Sequence, residues 1–324
     1  MQLYYEVVAF AVGLVVGSFL NVVIARVPEG QSIVAPRSRC PKCGGAIAWY
    51  DNVPVLSWLW LGARCRRCRQ PISARYPTVE LLTGLLALAL ARAHPFGPWA
   101  VALFLFVSLL VAVTYIDLDH WLIPHALTWP GIVLGLVARV FAPDSATAVQ
   151  RVLAGALGAV GGFAAFALVG WLGAKAFKKE ALGQGDWWLL AMIGAFLGWK
   201  ALLPVVLLAS LQGALVGIAL ILLGRSETGK RPASAPAAEG GTPVPEIGSG
   251  PAETLAPAPA PVGETAPAGG TPATEEAEDE EDDWVPPKNA VPFGPFLALA
   301  AMEQLFVGGW LFHLYDRLLV RLFS

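Results

Sequence analysis

The chain has 324 residues, 56% of them hydrophobic and only 14% charged, against about 25% charged in ordinary soluble domains. That balance excludes a purely soluble protein and overrides the two soluble domains that the length alone would allow. The formal net charge of −2 says little, because it averages a basic loop against an acidic tract; no nucleic-acid partner is expected.

The first apolar run, Tyr5 to Ala25, exceeds a signal-peptide core, lacks a basic start and has no clear cleavage site, so it reads as a permanent span. A bilayer demands roughly 18–20 apolar residues. Eight runs approach or exceed that length, near 5–25, 78–94, 98–116, 126–142, 152–174, 187–200, 202–223 and 293–313; the second, fourth and sixth are short. Helix is the default for each, since a spanning backbone must satisfy its own hydrogen bonds. The expected fold is all-α: a polytopic membrane bundle of about eight helices with a small zinc-ribbon-like loop domain. The expected boundaries are a first transmembrane helix at 1–25, a four-cysteine loop at 26–77, a transmembrane core at 78–225, a Pro/Ala-rich acidic insert at 226–288, and the last helix with the C-terminus at 289–324. The glycines of the fifth span permit close helix packing. No internal repeat is evident.

Orientation follows from the basic residues. With the N-terminus outside, the inner segments 26–76, 117–124, 175–186 and 224–292 carry 16 of the 22 Lys and Arg residues, as the positive-inside rule requires.

All four cysteines fall in the first inner loop, as Cys40-Pro41-Lys42-Cys43 and Cys65-Arg66-Arg67-Cys68. Two such pairs, 21 residues apart, resemble a zinc ribbon with a slightly long gap. A four-thiolate site is closed to water and therefore structural. Neighbouring Lys42, Arg64, Arg66, Arg67 and Arg69 favour thiolates. Disulfides or free thiols are the competing readings, and a reducing cytoplasm opposes the first.

Two acids stand where hydrocarbon begins. Asp117 follows the run 98–116, and Asp186 ends Gly183-Gln184-Gly185-Asp186 before the next apolar run. A carboxylate costs roughly 2.5–3.5 kcal/mol at the centre of a membrane helix, so such residues tend to be functional. Asp117 and Asp119 point about 200° apart on a helix, so one is expected to face the bundle while the other meets water or a basic group. Pro124 marks a break before the next helix. The plain alternatives are a polar loop for Asp117 and a helix N-cap for Asp186. If the two acids meet, they titrate as a unit and form an acid/base pair for activating water. Spacing alone does not bring them together. His94, His120, His125 and His313 are scattered and define no second metal site. Residues 226–288, ending in the acidic run 275–283, lack the aliphatic bulk to offset ordering and read as disordered.

The blocks GSFLNVVIARVP (17–28), CPKCG (40–44), 52–84, YIDLDHWLIP (115–124), GQGDWWLLAMIGAFLGW (183–199) and PFGPFLALA (292–300) together resemble the type IV prepilin peptidase family, the bifunctional leader peptidases/N-methyltransferases. The resemblance covers nearly the whole chain outside the 226–288 tract. It implies a GxGD membrane aspartic peptidase of the bacterial inner membrane, with Asp117 and Asp186 catalytic and with Cys40, Cys43, Cys65 and Cys68 as the zinc loop of bifunctional members. It implies cleavage of prepilins and pseudopilins after a glycine at the cytoplasmic membrane face. N-methylation with S-adenosylmethionine then follows, in support of type IV pilus assembly or type II secretion. Partners would be these substrates, the lipid bilayer and that machinery. Glu80, at the membrane edge, is a contributor to methyl transfer or simply a snorkelling side chain; the donor site is otherwise unassigned. Two departures stand out: His125 where many members have an acid, and the 226–288 insertion. Rival readings are a peptidase without transferase activity, a proton-coupled carrier and a non-catalytic secretion scaffold.

Overall fold

The computed structural model describes residues 1–177, 183–222 and 291–323, with side chains as far as 309 in the last segment. The 226–288 tract and the side chain of His313 lie outside the described residues. Among the described residues the regular elements are helices, apart from two isolated β-bridges. In chain order they are α1 (Gln2–Arg26), α2 (Leu56–Trp60), α3 (Arg75–Ala93), α4 (Pro98–His120), α5 (His125–Ala138), α6 (Ala148–Phe177), α7 (Gln184–Leu197), α8 (Leu202–Leu222) and α9 (Gly294–Phe323).

A helix lies on each of the eight apolar runs. Four stretches are long and apolar enough to cross a membrane: Gln2–Arg26, Pro98–His120, Ala148–Ala176 and Trp199–Leu222. The protein is therefore a multi-span, all-α membrane protein. Of the other runs, those of α3, α5 and α7 fall short among the described residues, for physical reasons. Helix α3 carries Arg75, Glu80 and Arg92. Helices α5 and α7 have 14 residues each, about 21 Å of rise against a hydrocarbon core of about 30 Å. Pro124 caps the start of α5, and Gly198, at φ 82°, ends α7.

Small residues set the close packing. A Cβ on Gly17 of α1 would come within 2.6 Å of Glu80 Cα on α3, so these two backbones nearly touch. On α6 and α7, Gly158 and Gly194 face each other with no room for a side chain on either. This is the small-residue packing expected of the glycine-rich span. The core lies around α4 and α7, where Leu103, Phe106, Leu110, Leu189, Met192 and Ile193 are fully buried. The Phe106 and Phe196 rings stack there at 4.2 Å between centroids. Leucines and valines along α1, α6 and α8 stay exposed, including Val15, Leu168 and Leu207. On membrane helices such a face is solvated by lipid.

The chain between α1 and α3 is built differently. Gly45 is the one buried residue in 27–74. Turns and side-chain ties hold this loop, such as Arg26 donating to Ser32 O at 2.9 Å and to Pro36 O at 2.7 Å.

Candidate active site and metal centre

Asp117 sits in the last turn of α4 and is 5% exposed. The helix stops just after it, where Trp121 adopts a left-handed conformation and donates its N–H to Asp117 O at 3.0 Å. Asp119 faces the other way and pairs with Arg75 at 2.5 Å. The Arg75 guanidinium also lies 5.1 Å from the centre of the Tyr115 ring. The opposed directions expected of these two acids are thus found, with Asp117 facing the bundle and Asp119 facing a cation.

Asp186 is 8% exposed, in the first turn of α7. Gly183, not Asp186, is the N-cap, and no side chain caps that helix. The aspartate lies three positions inside, with its N–H donating to Gly183 O at 3.1 Å. Its carboxylate is therefore not engaged in the capping that the sequence offered as an alternative.

Two contacts assemble the site. Ile123, in the short segment between α4 and α5, packs against the backbone of Gly185; a Cβ there would lie 2.7 Å from Ile123 Cβ. On its other side Ile123 meets Gly294, the first residue of α9. The backbone of Gly294 lies directly against the Asp117 carboxylate. A Cβ on Gly294 would come within 2.5 Å of Asp117 Oδ2, so only glycine lets the α9 terminus approach so closely. Ile123 thus touches both the glycine beside Asp186 and the glycine against Asp117. The structure thus brings the two acids together through α4, α7 and α9. Sequence reasoning quoted the 292–300 block but gave Gly294 no role; the signal was a glycine placed directly before an apolar run.

His125 makes no contact with the acids among the interactions described. Its ring lies against Trp129 at 5.6 Å and Trp188 at 6.0 Å, within an aromatic cluster that includes Phe163.

The four cysteine sulfurs all lie within 4.8 Å of one another. Two similar turns present them. Cys40 N–H donates to Gly45 O and Gly44 N–H to Cys40 O; Cys65 N–H donates to Gln70 O and Arg69 N–H to Cys65 O, all at 2.9 Å. Bridges Arg39–Ala46 and Arg64–Pro71 close the two turns. Segments 39–47 and 64–72 thus form a small repeat, Arg-Cys-x-x-Cys-x-x-x-Ile, which corrects the expectation of none. At the same position of each turn Gly44 has φ 65° and Arg69 has φ 60°. Glycine adopts that conformation freely, and arginine does so at a cost.

The donor set fits a tetrahedral metal ion. Metal–sulfur bonds of about 2.3 Å imply sulfurs about 3.8 Å apart, and Cys40 Sγ lies 3.9 Å from Cys68 Sγ. That is far beyond a disulfide bond of about 2.05 Å. Backbone N–H groups of Cys68 and Arg67 bring the Cys65 thiol down to about 7. Cys68 is pushed up to about 11: the Gln70 N–H favours its thiolate, but desolvation and the three other sulfurs outweigh it. A bound cation would offset that mutual repulsion.

Glu80 is 8% exposed, near the start of α3. It accepts the Val55 N–H at 2.7 Å and lines a cavity of about 630 Å³ between the loop and the α1–α3 pair. Neither aspartate lines that cavity.

An all-α membrane protein with two buried aspartates at helix ends and a four-thiol cluster in a loop is thereby defined. Residues 11–94 match the Bacterial Peptidase A24 N-terminal domain, and residues 104–218 match the Type IV leader peptidase family. The chain is 48% identical over 315 residues to a prepilin leader peptidase/N-methyltransferase of Myxococcus xanthus (strain DK1622), covering 95% of this chain and 91% of the relative. It is 43% identical to the protein of that name from Aeromonas hydrophila, covering 68% of this chain and 82% of the relative. A type 4 prepilin-like proteins leader peptide-processing enzyme of Escherichia coli O78:H11 is 39% identical, with 65% and 84% covered. No solved structure matches. The chain belongs to the type IV leader peptidase family.

Proposed function

We propose that this protein is a prepilin leader peptidase and N-methyltransferase, with Asp117 and Asp186 as its hydrolytic pair. The observation that carries the reading is the convergence of two buried acids around Ile123 and Gly294. Asp117 faces the N-terminus of α9 at Gly294, where a helix dipole favours an anion, and this assigns it the role of base. Asp117 takes a proton from water as the water oxygen attacks the scissile carbonyl. Asp186, protonated, gives its proton to the carbonyl oxygen. Collapse of the diol breaks the C–N bond; the amine leaves with the proton held by Asp117, and one diol hydroxyl returns its proton to Asp186 as the carbonyl re-forms. No covalent enzyme intermediate forms. The substrate is a prepilin or pseudopilin whose apolar helix enters from the bilayer. Its bond after glycine, at the cytoplasmic face, unwinds readily for attack.

Eight membrane helices, the N-terminus outside and both sites at the cytoplasmic face of the bacterial inner membrane complete the topology; the count of basic residues supports it. The proposed domains are 1–25, 26–77, 78–225, 226–288 and 289–324. Cys40, Cys43, Cys65 and Cys68 would hold one structural zinc ion and so staple a zinc-ribbon-like domain. S-adenosylmethionine supplies the methyl group to the newly freed amine and leaves as the neutral thioether, with one proton released to solvent. The products serve type IV pilus assembly or type II secretion.

Purified protein incubated with a prepilin in detergent tests this reading by mass spectrometry of the product N-terminus. The expected product lacks the leader and gains one methyl group only when S-adenosylmethionine is present. An intact substrate contradicts the peptidase, and a trimmed but unmethylated one contradicts the transferase.

A further inference from the structure

We infer that the cavity between the cysteine loop and the α1–α3 pair is the binding site for the methyl donor, with Glu80 anchoring it; this rests on the methyl-transfer reading above. At about 630 Å³ it lies within the 300–1,000 Å³ usual for small-molecule sites, and a few convergent polar groups line it. Its floor lies at the membrane edge. The Glu80 carboxylate is fixed there by the Val55 N–H at 2.7 Å and by the Ser18 hydroxyl. Beside it Asn21, 9% exposed, directs its amide nitrogen to Gly17 O at 3.3 Å and Tyr76 O at 3.1 Å. Its carbonyl oxygen remains an acceptor. The floor therefore offers oxygens to hydroxyl or ammonium donors.

The walls and rim offer the complementary chemistry. Trp58, tied through its indole N–H to Ile72 O at 3.1 Å, and Tyr50 present aromatic surface. Such faces suit a purine or a cation. Arg66 is engaged with Asp51 at 2.6 Å. Arg39, Lys42 and Arg67 also line the cavity and form no ion pair with a described residue. They suit a carboxylate. A sulfonium nucleoside bearing an amino-acid tail carries all of these groups: purine, ribose hydroxyls, cation, ammonium and carboxylate.

Two further features mark the cavity as built. Val55, which holds Glu80, is β-branched yet has φ 60° and ψ −49°; such strain persists only where the surroundings impose it, and it clusters at ligand sites. Cys40 and Cys65 also line the cavity, so the thiol cluster shapes its wall. Asp117 and Asp186 do not line it, which keeps donor binding apart from hydrolysis.

The test uses the full-length protein in detergent and measures equilibrium binding of S-adenosylhomocysteine to wild type, Glu80→Gln and Tyr50→Ala. Zinc content and monodisperse elution report folding. The expected result is at least a tenfold loss of affinity in Glu80→Gln and a smaller loss in Tyr50→Ala. In parallel, ultraviolet crosslinking of labelled S-adenosylmethionine to the wild-type chain needs no variant and should place the label within 18–26 or 39–80. If wild type binds the probe but the label lies elsewhere, or Glu80→Gln binds equally well, the cavity assignment is overturned while methyl transfer stands. If wild type neither binds the probe nor methylates a trimmed peptide, both are overturned.

Discussion

The aspartate pair and the cysteine cluster are held in opposite ways. Asp117 and Asp186 lie in helices that carry fully buried residues such as Ile116 and Leu189, and glycines let α7 and α9 close on the site. Packing fixes the carboxyl groups in place. The cysteines sit in a segment with a single buried residue, which cannot organise itself by hydrophobic burial. Small units of that kind need a staple, and four thiols within 4.8 Å provide one. Helix packing positions one set of side chains, and under the proposed function a bound metal ion would organise the other.

The sharpest way to break that contrast is to remove the metal. Structural zinc contributes about 10–16 kcal/mol to folding of small zinc domains. A Cys40→Ser, Cys68→Ser double variant should therefore lose its zinc and become protease-sensitive within 27–74, while α4–α9 stay protected. Limited proteolysis with mass mapping reads this out; protection of the loop without metal would contradict the contrast.

A smaller effect belongs to the aspartates. Gly294→Ala places a methyl group within 2.5 Å of Asp117 Oδ2. Displacements of about 1 Å cost roughly 10²-fold in rate, so cleavage should slow by about that factor with zinc content unchanged. Breaking the Arg75–Asp119 pair should do much less. Both side chains are about one-third exposed, and such pairs contribute about 0–1 kcal/mol. Asp119→Asn should change cleavage only a few-fold and leave folding intact. The smallest expected change is a gain. Arg69→Gly relieves a left-handed backbone at φ 60°, worth roughly 1 kcal/mol, and a competition assay should find zinc held somewhat more tightly.

Much of this was legible in the chain. The divergence of Asp117 and Asp119 follows from helical geometry, and the break at Pro124 from its missing N–H. Local rules did not reach Ile123 or Gly294, because their importance lies in contacts between segments far apart in the sequence. The capping role offered for Asp186 went to Gly183, whose extended backbone, φ −62° and ψ 138°, opens the helix without a side chain. The repeat of 39–47 in 64–72 was visible as Arg-Cys-x-x-Cys-x-x-x-Ile, but differing residues between the shared positions hid it until the paired turns exposed it. Spans were read from hydrophobic length, which does not distinguish the 14-residue α7 from a full crossing.

The most direct test compares leader cleavage by Asp117→Asn, Asp186→Asn and the double variant, each purified as a folded, zinc-loaded protein. Acid/base groups that act as one unit give non-additive losses. Each single variant should lose roughly 10³-fold or more, and the double should lose little beyond that. Wild-type cleavage by either single variant, or strictly multiplicative losses in the double, would contradict a shared site.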